Sequence, residues 1–354
     1  ARGSGGTFLV IADQPCSRER WQLFAEQLAE CVARPIARGR EALRLSPRLA
    51  LLRALAGDSA DSVLDRLAHS LDLARRGAAR RTVWADGEVT RVGRSAAQLD
   101  ADLLRAIDGN EIEVVFQPQF ACGPAGRFDR LSGAEALARW NHPRLGRIGA
   151  GALFTIAERC DHVLPLSRHI ARLALAEAAR WPQDLRLSLN VTPLDLAAAG
   201  FAAELGAALA QAGFAADRLT LEVTEQALLA DLPQVARALG ALAEAGMRIA
   251  LDDFGAGFCN FRYLKLLPLH TLKLDRSMVD NIVEDARDLA VLRAILAMAG
   301  ALDLAVIAEG VETEAQAAVL SREGCGLIQG FLRAPPLDAQ DFLHLAQDRP
   351  IPAN

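Results

Sequence analysis

Between Glu113 and Ile328 the chain repeats one pattern: a short run rich in Val, Ile and Leu, then a longer Ala/Leu-rich segment. The short runs fall at 113–117, 131–137, 185–191, 219–223, 248–252, 271–274, 305–308 and 326–328. Segments such as 170–179, 205–212, 234–245 and 289–299 have helical spacing between them. Strands buried on both faces read as near-continuous apolar runs, which is what a parallel sheet covered by helices requires. About eight such units in roughly 250 residues fit a (β/α)8 barrel better than an open sheet.

Each run also carries a polar residue, in it or just past its end: Gln117, Glu135, Asn190, Glu222, Asp252, Lys273, Glu309 and Gln329. A buried strand gains no stability from a carboxylate. In a barrel of this kind the C-terminal strand ends form the functional face. Strands that merely end where solvent begins would explain one or two of these positions, but poorly explain the whole series.

The acidic members are Glu135, Glu222, Asp252, Asp253 and Glu309, with Asn190 as a neutral oxygen donor. Such hard ligands suit Mg2+ or Mn2+. No histidine joins them, which argues against zinc. Five converging carboxylates would repel one another and resist ionisation. Two divalent cations about 3.5–4 Å apart would relieve that, activate water and clamp a phosphodiester for in-line displacement. A bend at the strand end would let Asp252 and Asp253 both serve. Lysine occurs only at 265 and 273, against 37 arginines. Beside such a centre Lys273 can orient or deprotonate the attacking water. The plainer alternative for it is a surface ion pair with Asp275.

The bulk properties agree with a soluble protein. Of 354 residues, 51% are hydrophobic and 23% charged, enough chain for two domains. A net charge of -5 argues against a polymeric nucleic-acid partner. It permits a small phosphate ligand, because bound metal can reverse the local sign. Six scattered cysteines without a CxxC pair point to free thiols and an expected cytoplasmic location. The most apolar stretch, 289–308, is broken by Arg293 and Asp303, so no membrane segment is expected in this chain. No signal peptide is read at its start, and tethering through an upstream region stays open.

Composition shifts near 84–98. Trp84-Ala85-Asp86-Gly87-Glu88 reads as a turn, and Ser95 as the N-cap of a helix through Leu99, Leu103, Leu104 and Ile107, stopped by Gly109. The expected division is a domain at 1–94, a linker helix at 95–109 and the barrel at 110–354.

Eight motifs stand in order: Phe116-Gln117-Pro118, Glu135-Ala136-Leu137-Ala138-Arg139-Trp140, Asn190-Val191-Thr192, Glu222-Val223-Thr224-Glu225, Asp252-Asp253-Phe254-Gly255, Lys273-Leu274-Asp275, Glu309-Gly310-Val311-Glu312 and Gln329-Gly330-Phe331. In order and spacing this set resembles the EAL domain, over roughly residues 98–345. Glu41-Ala42-Leu43 repeats the name-giving letters without partners, and reads as helix surface.

The resemblance implies a modified TIM barrel that cuts one phosphodiester of cyclic di-GMP to give linear pGpG. It implies that Glu135, Asn190, Glu222, Asp252, Asp253 and Glu309 hold two metal ions. Lys273, with Glu135 and Glu309, would form the catalytic set. Gln117, Leu137, Arg139 and Gln329 resemble substrate contacts, while Asp275 and Glu312 resemble supporting groups. Glu225 resembles the residue that fixes the loop after Asp253, which the family links to dimerisation, so a homodimer is expected. That loop departs from the family: Ala256, Phe258, Cys259 and Asn260 stand where Thr, Tyr, Ser and Ser are more usual. The rival reading is a silent cyclic di-GMP receptor signalling through the linker helix, though such receptors should lack metal ligands.

Residues 1–90 resemble the latter half of a GGDEF domain, through Arg2–Val10, Leu64–Leu71 and Ala74–Gly77. Ser4-Gly5-Gly6-Thr7-Phe8 stands where the signature is expected and lacks its two acidic ligands. No diguanylate cyclase activity is expected from it.

Overall fold

The structure is a computed structural model. It describes residues 96–348 except 110, 144–145, 229–231 and 257–260, together with a scattered subset of 8–84. The chain divides into two compact units, 1–95 and 96–354.

In the first unit β1 (Ile36–Arg38) pairs antiparallel with β2 (Glu41–Leu43), and β3 (Leu49–Leu51) pairs in parallel with β4 (Thr82–Trp84). The second Glu-Ala-Leu triplet is therefore a strand and not helix surface, because its backbone groups pair with 36–38. Residues 64, 66–68 and 70–71 are helical. Ser4 to Thr7, the turn residues Ala85 to Glu88, and Ser95 lie outside the described residues.

Among the described residues the second unit forms a barrel of eight strands. They are β5 (Ile112–Cys122), β6 (Phe128–His142), β8 (Arg186–Asn190), β9 (Leu219–Thr224), β10 (Arg248–Phe254), β11 (Thr271–Leu274), β12 (Ala305–Ala308) and β13 (Leu327–Gln329). β5 pairs with both β13 and β6, which closes the sheet, and β7 (Gly146–Gly149) is appended to β6.

The expectation of parallel pairing holds around the barrel from β6 to β13 but fails for β5. β5 runs antiparallel to both neighbours. The cause is its connection to β6. Only Gly123 to Arg127 separates them, with Gly126 at φ +71° and Gly123 N–H donating to Arg127 O at 2.7 Å. So short a turn can join only antiparallel strands; a parallel crossover needs about a dozen residues or more.

Strand alternation then sorts the side chains of β5. Phe116 faces outward, against Trp181 and Phe342 at ring-centroid distances of 5.0 and 5.7 Å. Gln117 and Gln119 face the other way and are buried. The helix Ala96–Asp108 belongs to the barrel unit, with Leu103 and Ala106 fully buried in its core. Its Asp102 is buried against His142 of β6 at 3.3 Å and also pairs with Arg105.

Candidate active site

One end of the barrel gathers the polar residues. Lys273, in the all-buried strand β11, is 1% exposed. Its Nζ meets carboxylates from four other segments: Glu222 at 2.6 Å, Glu309 at 2.8 Å, Asp252 at 3.0 Å and Glu135 at 3.2 Å. These pairs, rather than one with Asp275, are how the ammonium is balanced. Asp275 instead caps the next turn by accepting from Ser277 N–H at 3.0 Å.

Glu135 sits in the middle of β6, opposite Gln117 of β5 and Ser188 of β8. Its Oε1 accepts from Asn190 Nδ2 at 2.8 Å, and its Oε2 from Gln329 Nε2 at 2.7 Å and from Lys273. Burial alone would raise its pKa, but the Lys273 charge and these hydrogen bonds outweigh burial and hold the carboxyl below its usual range. Glu222 has the opposite fate. Burial, with the negative charge of Glu135, pushes it well above the usual range despite Lys273. Burial likewise pushes Glu309 up to about 8 against the pull of Lys273. Lys273 itself is held well above its ordinary value: burial opposes its charge, but Asp252, Glu135, Glu222 and Glu309 prevail.

A backbone irregularity brings in Asp253. The register of β10 against β11 shifts between Leu251 and Phe254, and Asp253 takes φ +56°. Asp is among the few non-glycine residues that tolerate this region. Carboxylate oxygens of Asp252, Asp253 and Glu309 come within 4.8 Å of one another. Desolvation, then Asp252 and Asp275, push Asp253 up to about 6.

These residues fit a divalent cation. Glu222 Oε1 is buried with no hydrogen-bond partner among the described residues, an acceptor in need of a positive ligand. Asp252 Oδ1 lies within ion-pair distance of Lys273 but makes no hydrogen bond among them. Because Asn190 gives its amide nitrogen to Glu135, its amide oxygen is left for another partner. The donor set is all hard oxygen.

Beside this cluster lies a cleft of about 170 Å3 lined by Gln117, Arg276, Glu309, Glu312, Gln329 and Phe331, with Gly310 and Gly330 in its wall. Glu312 pairs with Arg276 at 2.8 Å. Its backbone is held as well: Gln316 Oε1 accepts from Glu312 N–H at 3.0 Å. Gln316 is also the closing member of the capping box that starts the helix Glu314–Arg322, so the cleft wall is tied to a helix end.

Of the other expected residues, Leu137 and Arg139 lie further along β6, both half-buried. Arg139 Nη1 donates to Ala138 O at 2.9 Å. Glu225 opens the single turn Glu225–Leu228 after β9. Residues 257–260 of the altered loop lie outside the described residues.

One residue of this group is not singled out by the sequence reading. Gln119 is 4% exposed, and its Nε2 donates to Gln329 Oε1 at 2.9 Å. Its spacing of two from Gln117 is the available signal, since alternate residues of a strand share a face.

Comparison with known proteins gives this geometry a family. The EAL domain family matches residues 100–336. Cyclic di-GMP phosphodiesterase NbdA of Pseudomonas aeruginosa is 32% identical over 342 residues, 95% of this chain and 43% of that protein. An uncharacterised protein of Mycobacterium tuberculosis is 31% identical over 360 residues, 99% of this chain and 57% of that protein. The chain thus spans about half the length of these curated relatives. A solved structure described as the PaMucR phosphodiesterase in complex with c-di-GMP is 34% identical, with a TM-score of 0.64, covering 70% of this chain and 100% of that one. The EAL domain of Mycobacterium smegmatis DcpA is 30% identical, with a TM-score of 0.57, covering 69% and 99%. With its closed barrel, its ordered motifs and a match over most of its length, this chain belongs to the EAL domain family.

Proposed function

We propose that this chain hydrolyses one phosphodiester of cyclic di-GMP to linear pGpG at the acid-rich end of its barrel. The observation that carries this reading is the group of four carboxylates around Lys273, including a buried Glu222 oxygen without a hydrogen-bond partner among the described residues. Glu135, Asn190, Glu222, Asp252, Asp253 and Glu309 would hold two Mg2+ or Mn2+ ions. Bound there, such ions supply an activated water and neutralise charge developing on the phosphoryl oxygens.

The chain's own groups do the rest. Lys273 offers a fixed positive charge and hydrogen-bond donors to the attacking water and the developing charge. Glu135, held ionised by its donors, keeps its charge at the reacting end of the site. Arg139 can pair with a phosphate through its planar guanidinium. Gln117, Leu137 and Gln329 would position the substrate, with Glu312 and Asp275 supporting the cleft. Glu225 would steady the loop after Asp253 in a homodimer. The unit at 1–94 would serve regulation rather than cyclase chemistry.

The rival reading is a receptor that binds cyclic di-GMP without turnover. It leaves the full ligand set without a purpose. Purified protein incubated with Mg2+ or Mn2+ and cyclic di-GMP separates the two. Conversion to pGpG that disappears in Glu135→Ala supports the enzyme; tight binding without product supports the receptor.

A further inference from the structure

We propose that Gln119 is a positioning residue for this site, setting which end of the Gln329 amide faces Glu135. The inference rests on the hydrolytic reading above. Glu135 Oε2 already accepts from Lys273 Nζ at 3.2 Å, so it presents an acceptor to Gln329. Gln329 must therefore turn its NH2 toward it, and does so at 2.7 Å. That choice leaves Gln329 Oε1 in need of a donor, and Gln119 Nε2 supplies one at 2.9 Å. The three side chains form a chain of hydrogen bonds with one polarity, running from Gln119 through Gln329 to Glu135.

The antiparallel course of β5 makes this possible. Gln119 is the direct register partner of Gln329 on β13 and of Gly133 on β6. Gly133 puts no side chain beside it, and Glu135 is the next residue of β6 on that face. All three polar side chains are at least nine-tenths buried, so water competes little for these bonds. A purely structural residue at 119 would need no amide, since an apolar side chain fills a barrel interior without requiring a partner.

The test is a double-mutant cycle in the full chain: Gln119→Leu, Gln329→Leu and the pair, with Gln119→Met in parallel to recognise a packing fault peculiar to leucine. Mn2+ affinity is measured by calorimetry without substrate, and kcat and KM separately. Gln119→Leu and Gln119→Met should each weaken Mn2+ binding and lower kcat by about tenfold, with KM little changed. In the Gln329→Leu background the second substitution should change either quantity by no more than about twofold. Unchanged Mn2+ affinity in both single variants at 119, or a full second loss in the Gln329→Leu background, would overturn the proposal. Absence of cyclic di-GMP hydrolysis by the unmodified chain would instead count against the functional reading, and the Mn2+ cycle would still decide the role of Gln119.

Discussion

Lys273 Nζ lies 2.6 Å from Glu222 Oε2, and both side chains are almost completely buried. Neither group has solvent to fall back on, and Glu222 still presents a second oxygen without a hydrogen-bond partner among the described residues. The pair is therefore both a structural liability and a prepared binding group. Lys273 also pairs with Glu135, which is held ionised, and breaking a buried pair by removing one partner costs about 3–5 kcal/mol, because the other charge is stranded. Lys273→Met should accordingly destabilise the metal-free protein by about that amount. Denaturant unfolding in chelator checks this. Mg2+ should restore part of the loss by taking over the charge balance, while turnover stays reduced by at least about a hundredfold.

The raised carboxyls make metal-free stability depend on pH with a definite sign. Glu309 titrates at about 8 and Asp253 at about 6, against ordinary values of 4.5 and 3.8. A carboxyl raised in the folded state contributes stability that is full below its unfolded pKa and is lost as pH rises through the folded one. Thermal stability in chelator should therefore carry a contribution that falls from about pH 4 to about pH 8.5, and Glu309→Gln should flatten that fall. Divalent metal affinity should run the other way and rise over the same interval, because binding requires the ionised carboxylates.

Ca2+ should inhibit. It accepts longer bonds and looser geometry than Mg2+. Product formation measured in Mg2+, Mn2+ and Ca2+ should show turnover in the first two and little in the third; full activity in Ca2+ alone would contradict the proposed metal centre.

Gly330 follows Gln329 directly, and a Cβ there would sit against the backbone oxygen of Val311. The obstacle is backbone, so relief requires β13 and the segment after Glu309 to move apart. Gly330→Ala should cost about 1–3 kcal/mol of stability, in the range of overpacked substitutions. It should also lower kcat by displacing Gln329 from Glu135. Thermal denaturation and steady-state kinetics on the same variant check both effects.

Much of the site is legible locally. A carboxylate in or beside an apolar run is anomalous wherever it occurs, so Glu135, Glu222, Asp252 and Glu309 stand out one by one. The strand at Gly146–Gly149 gives no such sign, because its four residues carry no apolar run. Glu41-Ala42-Leu43 reads wrongly as helix surface because three letters have no periodicity; its pairing with 36–38 decides its structure. The antiparallel course of β5 is within reach of the sequence, since the Gly- and Pro-containing turn at 123–126 is too short for a crossover.

The sequence by itself determined the repeating strand–helix pattern and the hard-oxygen chemistry of its polar residues, because periodicity and residue type are local properties. The tertiary structure alone decided which of those residues touch. Gln119 and Gln329 are 210 positions apart, and Lys273 and Glu135 are 138 apart. Their meeting depends on closure of the barrel and on strand register, both set by backbone hydrogen bonds between distant segments. The same closure removes water from Glu222 and Glu309 beside Lys273, and that desolvation pushes both carboxyls above their ordinary range and leaves the site in need of positive charge.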